Sequence, residues 1–342
     1  MTAGPAGGAA WVLGVDSGGS GLRVALARAT PDGVEPPAGE RRTAEPVRTG
    51  PGGIDAGHLL AQLLPAARAL LDEAAPAARI DAVCVGAAGM ATLGGRLRAE
   101  LPEALAAGLG ARRLALAADA VTGYAGALGE APGAVVAAGT GMIALGTELR
   151  AWRRADGWGH LLGDCGGGAW IGQRGLAAAL REHDGRSGGS AALLARAEAA
   201  FGPMPGLPSR LYPRADRPAV LASFAPEVAR CATAAEPDPV AVGILAAAAA
   251  EIAETVAAVY PTAVEPSAGP GRVALTGGLF RLGEPLTGPL AGELARRLPA
   301  AEVVPAAGSP LDGALLLAGR LAFGGSRLPA DPGLLHLVGE RG

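Results

Sequence analysis

The chain has 342 residues, a length that predicts two domains or one duplicated fold. Half of the residues are apolar but only 3% are aromatic, so a large core must be built from Ala, Val and Leu. The formal net charge of -3, without a long run of charge, argues against a nucleic acid as the main partner.

Lysine and asparagine are absent from the sequence. A P-loop and a protein-kinase site each need a lysine beside the phosphates, so both scaffolds are excluded. Cys84, Cys165 and Cys231 are far apart and lack metal-ligand spacing, so they predict no disulfide framework. If the protein uses ATP, a different scaffold must bind it.

Targeting and membrane signals are weak. The N-terminal residues lack the basic region and the apolar core of a signal peptide. The Ala-rich run 243–260 carries Glu251 and Glu254 near its middle, which is unfavourable for a membrane span. We therefore expect a cytoplasmic protein without a membrane partner.

The first predicted strand, residues 11–15, ends in Asp16, and a glycine-rich turn separates it from a second strand over 22–27. The turn comprises Ser17, Gly18, Gly19, Ser20 and Gly21. Backbone amides in such a turn can bind phosphate, and the carboxylate can hold a hydrated Mg²⁺. An ordinary turn rich in Asp and glycine has the same composition, so both interpretations stay open.

Residues 31–53 are rich in Pro, Gly and charge and predict connecting loops. Asp55 is a candidate cap for the helix that follows, and Pro65 is expected to break or kink that helix. A second helix, over 93–107, is expected to be interrupted near Pro102.

Two further strands, 80–85 and 114–118, precede Asp119, which a short helix over 120–128 follows. Ligands in α/β sheets bind beyond the carboxyl ends of strands, so Asp119 is placed to accept a proton from a substrate hydroxyl. Asp is also a common helix N-cap, and its position in the sequence does not favour either the proton acceptor or the N-cap role.

An uncharged strand over 134–138 leads into Gly139-Thr140-Gly141 and a second apolar strand. The backbone N–H groups of this turn are unobstructed by side chains, which predicts an anion site, for phosphate above all. The alternative is a tight hairpin that needs glycine for its conformation. The turn is a weak copy of the one around Gly18, which suggests two related lobes facing one cleft.

Seven glycines lie from Gly157 to Gly172, and Trp158, His160 and Asp164 lie among them. So much glycine lets the backbone approach a ligand closely. For His160 we expect first a buried structural role and, as the alternative, a contact with a sugar.

The best predicted helix covers 240–260, where apolar residues recur every four positions. A strand over 273–275 then leads into Gly277, Gly278 and Leu279, a turn that lets a flat group such as a purine lie against the backbone. Strands alternate with helices along the whole chain, which predicts an α/β architecture.

Taken together, these turns resemble the nucleotide site of the sugar-kinase, heat-shock-protein and actin superfamily. That site uses two phosphate hairpins and an adenosine turn. The matching residues are Asp16, Ser17, Gly18, Gly19 and Ser20, then Gly139, Thr140 and Gly141, then Gly277, Gly278 and Leu279. The resemblance covers residues 11–320 and implies two actin-like (ribonuclease H-like) lobes around a nucleotide cleft, with ATP bound there and Mg²⁺ near Asp16.

Within the superfamily the sequence is most similar to the BadF/BadG/BcrA/BcrD-type group, and there to N-acetylglucosamine kinases. The residues that carry this likeness are Gly157, Trp158, Gly159, His160, Leu161, Leu162, Gly163 and Asp164, then Gly166, Trp170, Ile171 and Gly172, with Asp119, Ala120, Gly126 and Ala127. The resemblance implies that Asp119 is the catalytic base on the sugar 6-hydroxyl. It further implies that Thr140 and Asp164 lie in or beside the sugar pocket, with His160 as a further candidate contact.

Three departures from the family pattern fall near the implied substrate. Cys165 stands where the family usually has Glu, Met142 where it has Ser, and Gly50-Pro51-Gly52-Gly53 replaces a Gly-Pro-Ser-Asn loop. These changes argue against N-acetylglucosamine itself and make glucosamine, an amino sugar with a free amine, the leading hypothesis. A free ammonium group favours a carboxylate partner, for which Asp164 or Asp119 is available.

We expect residues 1–119 to form an N-terminal lobe, with a C-terminal helix over 310–325 packing back on it, and residues 120–309 to form a C-terminal lobe. A homodimer is expected by analogy with the family. Two alternatives stay open. An ATPase that activates a dehydratase or reductase would need cluster cysteines on its surface, and a sugar-sensing regulator would need a DNA-binding module, which is not evident before Trp11.

Overall fold

The structure, a computed structural model, describes residues 8–18, 21–43, 45–50, 53–76, 78–261 and 271–339. Backbone contacts divide the chain into two compact units. Unit 1 comprises Met1–Pro132, Thr147–Trp152 and Pro305–Gly342, and unit 2 comprises Gly133–Gly146 and Arg153–Val304. Each unit combines a β-sheet with helices, which confirms the predicted α/β class.

Unit 1 is built on a mixed sheet of the strands β1 (Ala10–Gly18), β2 (Gly21–Thr30), β3 (Gly33–Val34), β4 (Gly39–Thr43), β7 (Ile80–Ala87), β8 (Arg113–Ala118) and β14 (Leu335–Val338), with a separate ribbon of β5 (Thr49–Gly50) and β6 (Gly53–Ile54). The strand order is β14-β8-β7-β1-β2-β3, and β4 also pairs with β2. Its helices are α1 (Ala56–Ala74), α2 (Met90–Leu93), α3 (Gly95–Leu109), α4 (Asp119–Leu128) and α12 (Pro310–Ala322).

Three neighbouring strands of this sheet, β1, β7 and β8, run parallel. They are almost continuously apolar, and Val12, Leu13, Val83 and Leu116 are at most 1% exposed. Such runs are typical of parallel strands covered on both faces, and α12 packs against β1 and β7. The arrangement brings the carboxyl ends of three strands to one edge of the sheet.

Helices α1 and α3 differ from their predictions at two prolines. Asp55 caps α1 as expected, because its carboxylate accepts a hydrogen bond from the His58 N–H at 3.0 Å. Pro65 lies inside α1 and Pro102 inside α3, and neither ends its helix. The interruption expected near Pro102 is therefore wrong, and of the two alternatives for Pro65 the break is wrong and the kink stays a prediction. A proline removes one backbone hydrogen bond, but each helix buries a row of leucines on one face, which stabilises it against that loss.

Unit 2 contains a sheet of the strands β9 (Gly133–Ala138), β10 (Met142–Thr147), β11 (Trp152–Asp156), β12 (Arg272–Thr276) and β13 (Glu302–Pro305). The strand order is β11-β10-β9-β12-β13, and β9 and β12 are parallel. Its helices are α5 (Gly168–His183), α6 (Ala191–Phe201), α7 (Leu207–Leu211), α8 (Arg217–Ala222), α9 (Ala225–Ala232), α10 (Pro239–Val259) and α11 (Glu284–Arg297).

Helix α10 is the central helix of unit 2. The predicted four-residue repeat is confirmed, since Ile244, Ala248, Ile252 and Val256 are all buried. By length and composition alone, α10 is the one helix in the described part of the chain that could cross a membrane. In unit 2 it packs against α5, α9 and α11, so its apolar face contributes to the core of this unit.

Helix α4 lies in unit 1, where it packs against α12. The lobe boundary expected from the sequence, after residue 119, would place these two helices in different lobes. The contacts keep them in one unit, and the division observed in the structure falls after Pro132.

Candidate active site

The carboxyl ends of β1, β7 and β8 lie side by side in unit 1. The register pairs Ser17 with Ala87, and Ala87 in turn with Ala118. Asp16 directly precedes the first of these residues and Asp119 directly follows the last. Both carboxylates therefore belong to the same edge of the sheet, which is the edge at which α/β proteins bind their ligands.

Asp16 is largely buried, with 20% of its side chain exposed. Burial raises the pKa of the Asp16 carboxyl above its usual value, and the Arg23 guanidinium, 4.0 Å away, opposes this rise. Arg23 also donates a hydrogen bond to Glu40, whose own charge raises the pKa of Asp16 further. The carboxylate is thus only partly neutralised, and a cation bound beside it would offset the cost of its burial.

In the described residues, His, Cys, Asp and Glu side chains form no group of three or more that could hold a metal ion. Mg²⁺ needs no such cage, because it keeps several waters and takes one or two carboxylates together with substrate phosphates. The single partly neutralised carboxylate of Asp16 fits that requirement.

Asp119 is the first residue of α4, and Ala118 occupies the N-cap position, so the N-cap alternative is not adopted. The Asp119 carboxylate accepts a hydrogen bond from the Ala120 N–H at 2.9 Å. The backbone carbonyl oxygen of Asp119 accepts a second one from the Thr122 hydroxyl at 2.9 Å. Thr122 is fully buried against Gly86 of the neighbouring strand β7. These contacts hold the half-buried Asp119 side chain at the carboxyl end of β8.

The first glycine-rich turn joins β1 to β2, and the pairing extends to Gly18 and Gly21. Ser17 is buried, and its carbonyl oxygen accepts a hydrogen bond from the Ala88 N–H at 2.9 Å. Of the predicted phosphate-binding residues, Gly19 and Ser20 lie outside the described residues, as do Pro51 and Gly52 of the altered loop.

The second turn, Gly139-Thr140-Gly141, joins β9 to β10 in unit 2. Its conformation is held by the Gly139 N–H, which donates to the Gly141 carbonyl at 2.9 Å. The first residues of α5 fix it from outside, since the Gly168 and Ala169 N–H groups donate to the carbonyls of Gly139 and Thr140. Thr140 itself is exposed at the tip of the turn.

Asp164 lies directly against this second turn. One Asp164 carboxylate oxygen is 2.3 Å from the position that a Cβ atom on Gly141 would take, so any side chain at Gly141 would displace it. The carboxylate accepts hydrogen bonds from the Gly159 N–H at 3.0 Å and from the backbone N–H of Met142. The structure therefore brings the predicted sugar residue Asp164 and the predicted phosphate residue Gly141 together.

The charge on Asp164 is tuned by its surroundings. Burial raises the pKa of its carboxyl, and the neighbouring Asp156 raises it further. The two backbone hydrogen bonds and the nearby His160 lower it in part. The buried structural role expected first for His160 is not what the structure shows, because the residue is partly exposed and close enough to Asp164 to affect its titration.

The loop between β11 and α5 exposes apolar side chains. Trp158, Leu161 and Leu162 are 62%, 75% and 86% exposed, and the Arg154 guanidinium lies 4.5 Å from the centre of the Trp158 ring. These side chains face solvent next to Asp164 in the sequence.

The third predicted turn follows β12. Gly277 has a φ of +106° and packs so closely on β9 that a Cβ atom there would stand 2.1 Å from the Ala138 carbonyl oxygen. Gly277 and Gly278 are exposed, whereas the Leu279 side chain is only 5% exposed. Leu279 thus belongs to the core of unit 2, and only its backbone is available to a ligand.

Over residues 13–318 the sequence matches the BadF/BadG/BcrA/BcrD ATPase family. The chain belongs to this family. The resemblance inferred from its turns and from the Gly157–Asp164 stretch is therefore confirmed. None of the curated proteins compared with the chain matches it.

Solved structures of related fold are similar over most of the chain. A protein from Chromobacterium violaceum, provisionally described as an N-acetylglucosamine kinase, is 27% identical, with a TM-score of 0.64 over 90% of this chain and 98% of the other. A second protein so described, from Porphyromonas gingivalis, is 17% identical, with a TM-score of 0.62 over 89% of this chain and 96% of the other. A ROK family glucokinase from Streptomyces griseus, in complex with glucose and AMPPNP, is 18% identical, with a TM-score of 0.52 over 90% of this chain and 98% of the other.

The last two structures show a shared fold. Together with the family match, the comparisons confirm the expected sugar-kinase type of α/β fold and place the chain among ATPase-family proteins.

The cysteines of this family member are not grouped. Cys84 is fully buried in β7, and Cys231 in α9 is 5% exposed. Burial raises the pKa of Cys165, and the carboxylates of Asp156, Glu251 and Asp164 raise it further. Cys165 is therefore a protonated thiol at neutral pH rather than a nucleophile.

One residue of the site was missed in the sequence. Asp156, the last residue of β11, accepts hydrogen bonds from the N–H groups of Asp164 and Cys165 at 2.6 and 2.8 Å. A signal for it was present, because Asp156 directly precedes the Gly157-Trp158 motif, but a single Asp before a glycine is also an ordinary turn.

Proposed function

We propose that the protein is an ATP-dependent hexosamine kinase that phosphorylates glucosamine at O6. The observation that carries the proposal is the placement of Asp16 and Asp119 at the carboxyl edge of three parallel strands, in a chain that belongs to an ATPase family. The 27% identical neighbour, provisionally described as an N-acetylglucosamine kinase, supports a sugar as the acceptor.

Asp119 is the proposed base. A sugar hydroxyl beside the carboxyl end of β8 would donate its proton to the Asp119 carboxylate as the oxygen attacks the terminal phosphate of ATP. The contacts through Ala120 and Thr122 hold Asp119 in place before the sugar arrives, which supports this role. In phosphoryl transfer, positioning and charge neutralisation account for most of the rate enhancement.

The phosphates of ATP are assigned to the two glycine-rich turns. These turns contain Gly18 and Gly139-Thr140-Gly141, where small residues favour the approach of an anion to the backbone. Mg²⁺, held through water by Asp16, would neutralise charge on the phosphates when bound. Because the chain has no lysine, backbone amides and arginines must supply the remaining positive charge. The turn at Gly277 and Gly278 is assigned to the adenosine.

Glucosamine is favoured over N-acetylglucosamine by the charge around Asp164. The carboxylates of Asp156 and Glu251 both act on the neighbouring Cys165, where the family usually has Glu. An ammonium group is attracted to such negative charge, whereas an acetamide gains little from it. N-acetylglucosamine is the second candidate, favoured by the provisional description of the 27% identical neighbour.

A cytoplasmic homodimer belongs to the same proposal, and analytical ultracentrifugation of the purified protein tests the dimer. Activation of a dehydratase or reductase through an iron–sulfur cluster is disfavoured, because Cys84 and Cys231 are buried and Cys165 alone is partly exposed.

The decisive experiment measures ADP release with glucosamine, N-acetylglucosamine, glucose and a muramic-type sugar. We expect the highest kcat/KM with glucosamine and a phosphate ester at O6 in the product. A clear preference for N-acetylglucosamine would replace the substrate and keep the kinase. ADP release that no sugar stimulates would refute the kinase itself.

A further inference from the structure

We infer that Asp156 is a positioning residue of this site, which sets the direction of the Asp164 carboxylate and so determines how tightly the sugar binds. This inference rests on the proposed hexosamine kinase activity. It concerns a residue of unit 2 that does not itself have to touch the sugar.

The contact between Asp156 and the loop uses both carboxylate oxygens. Oδ1 accepts a hydrogen bond from the Asp164 N–H at 2.6 Å, and Oδ2 accepts one from the Cys165 N–H at 2.8 Å. Hydrogen bonds to an ionised acceptor are shorter and stronger than those between neutral groups. Two of them on consecutive amides fix both the position and the orientation of that peptide.

The backbone at both ends of this contact has an uncommon conformation. Asp164 has a φ of 55° and Asp156 a φ of 57°, both in the left-handed region, which non-glycine residues enter at a cost. Such a conformation persists only where surrounding contacts hold it. The paired hydrogen bonds that Asp156 accepts from the Asp164 and Cys165 N–H groups hold Asp164 there.

The held conformation places the Asp164 side chain against the second turn. Its carboxylate accepts hydrogen bonds from the backbone N–H groups of Gly159 and Met142 and packs against Gly141. A carboxylate has about four acceptor positions, so two protein hydrogen bonds leave capacity for a sugar hydroxyl or ammonium group. Asp164 is half-buried, which leaves it accessible to a sugar.

Asp156→Asn is the most direct test. The amide keeps the shape of the side chain but turns one acceptor into a donor, which then faces a backbone N–H group. We expect the KM for glucosamine to rise by ~10- to 100-fold, the KM for ATP to change by less than about 2-fold and kcat to fall much less than kcat/KM for the sugar.

The pH profile gives a second readout. Asp156 and His160 are the charged groups that act on Asp164, and Asp156 raises its pKa. If activity needs the ionised Asp164, Asp156→Asn should move the acid limb of kcat/KM, because it removes the charge that raises the Asp164 pKa and loosens the Gly159 and Met142 hydrogen bonds that lower this pKa. Loss of a purely structural contact would lower the amount of active enzyme without moving this limb.

A second variant approaches the same contact from its other side. In Gly163→Ala, the new Cβ atom would stand 2.3 Å from Asp156 Oδ1 and so displace that carboxylate. We expect the same selective rise in the KM for glucosamine. Asp216→Asn is the matched control, because Asp216 is exposed on unit 2 and pairs only with Arg214 among the described contacts; it should leave both KM values unchanged.

The outcomes separate this inference from the proposed function. Wild-type protein that phosphorylates no hexose would overturn both. An active wild type with unchanged sugar KM and pH profile in Asp156→Asn would overturn the positioning role alone. So would a variant in which kcat falls while both KM values and the acid limb stay as in the wild type, since that pattern indicates a structural contact only.

Discussion

The two glycine-rich turns obtain their carboxylates in different ways. In unit 1, Asp16 is part of β1 itself and comes two residues before Gly18, so the strand carries the carboxylate to the turn. In unit 2, β9 and β10 carry no acidic residue next to Gly139-Thr140-Gly141. The carboxylate there comes from Asp164, which is distant from the turn in the chain. The loop that contains Asp164 is held by a hydrogen bond from the Asp164 N–H to the Asp156 carboxylate.

This difference separates a local design from a tertiary one. Asp16 lies two residues before Gly18 in the same strand, so its position beside the turn follows from local sequence. The position of Asp164 depends on a loop rich in glycine, on the N-terminus of α5 and on Asp156. We therefore expect unit 2 to respond more strongly to small changes in packing, and unit 1 to respond mainly to changes in charge.

The largest expected effect is in unit 1, where removal of one charge should strongly reduce catalysis. Asp119→Asn should fold normally and bind ATP but lose at least ~100-fold in kcat, because the amide cannot accept the sugar proton. Steady-state kinetics with ATP titrations will measure both effects. Asp72→Asn, an exposed change on α1 of the same unit, is the control and should retain wild-type turnover. Near-normal kcat in Asp119→Asn would remove Asp119 from the role of base.

A packing change should dominate in unit 2. In Gly141→Ala the new methyl group would stand 2.3 Å from Asp164 Oδ2, so the turn or the carboxylate must move. A displacement of about 1 Å at a reacting group can cost ~100-fold, and we expect kcat/KM for the sugar to fall ~10- to 100-fold.

Gly243→Ala, in α10 of the same unit, has open space for its methyl group and serves as the control. It should keep full activity and gain roughly 0.5–1 kcal/mol in stability, because alanine is the better helix former. If Gly141→Ala had the same kcat/KM for the sugar as this control, the contact between the second turn and Asp164 would not contribute to activity.

The smallest expected effect is on stability, at Asp16. Because burial raises the pKa of this carboxyl in the folded state, its ionised form destabilises the fold at neutral pH. Asp16→Asn should therefore have a thermal midpoint at neutral pH equal to or slightly above that of the wild type. The difference should vanish as the pH falls from the raised pKa to the ordinary value for Asp.

Activity of Asp16→Asn should nevertheless fall by ~10- to 100-fold, as expected when a metal-holding carboxylate is lost. Thermal unfolding followed by circular dichroism across pH tests the stability claim. A clear drop in the midpoint at neutral pH would show that Asp16 stabilises the fold through Arg23, and would contradict the effect assigned to burial.

Local patterns in the sequence identified the strands of unit 1 and the acidic residues that follow them. Apolar runs without charge predicted β1, β7 and β8, and the residue directly after each run marked the ligand edge, which is how Asp16 and Asp119 were identified. That these strands run parallel, and so bring Asp16 and Asp119 to one edge, was shown only by the sheet pairing. The prolines inside α1 and α3 were misjudged, because the buried leucine faces that keep these helices continuous are a property of the packed unit.

By itself the sequence determined the α/β class, the three glycine-rich turns and the acidic residues that end the strands, since each depends on neighbours along the chain. Only the tertiary structure decided that Asp156 holds Asp164, that Asp164 lies on Gly141 and that the Leu279 side chain belongs to the core. The physical reason is that these contacts join residues of separate elements, and the hydrogen bonds and close approaches that fix them leave no periodic pattern in the sequence.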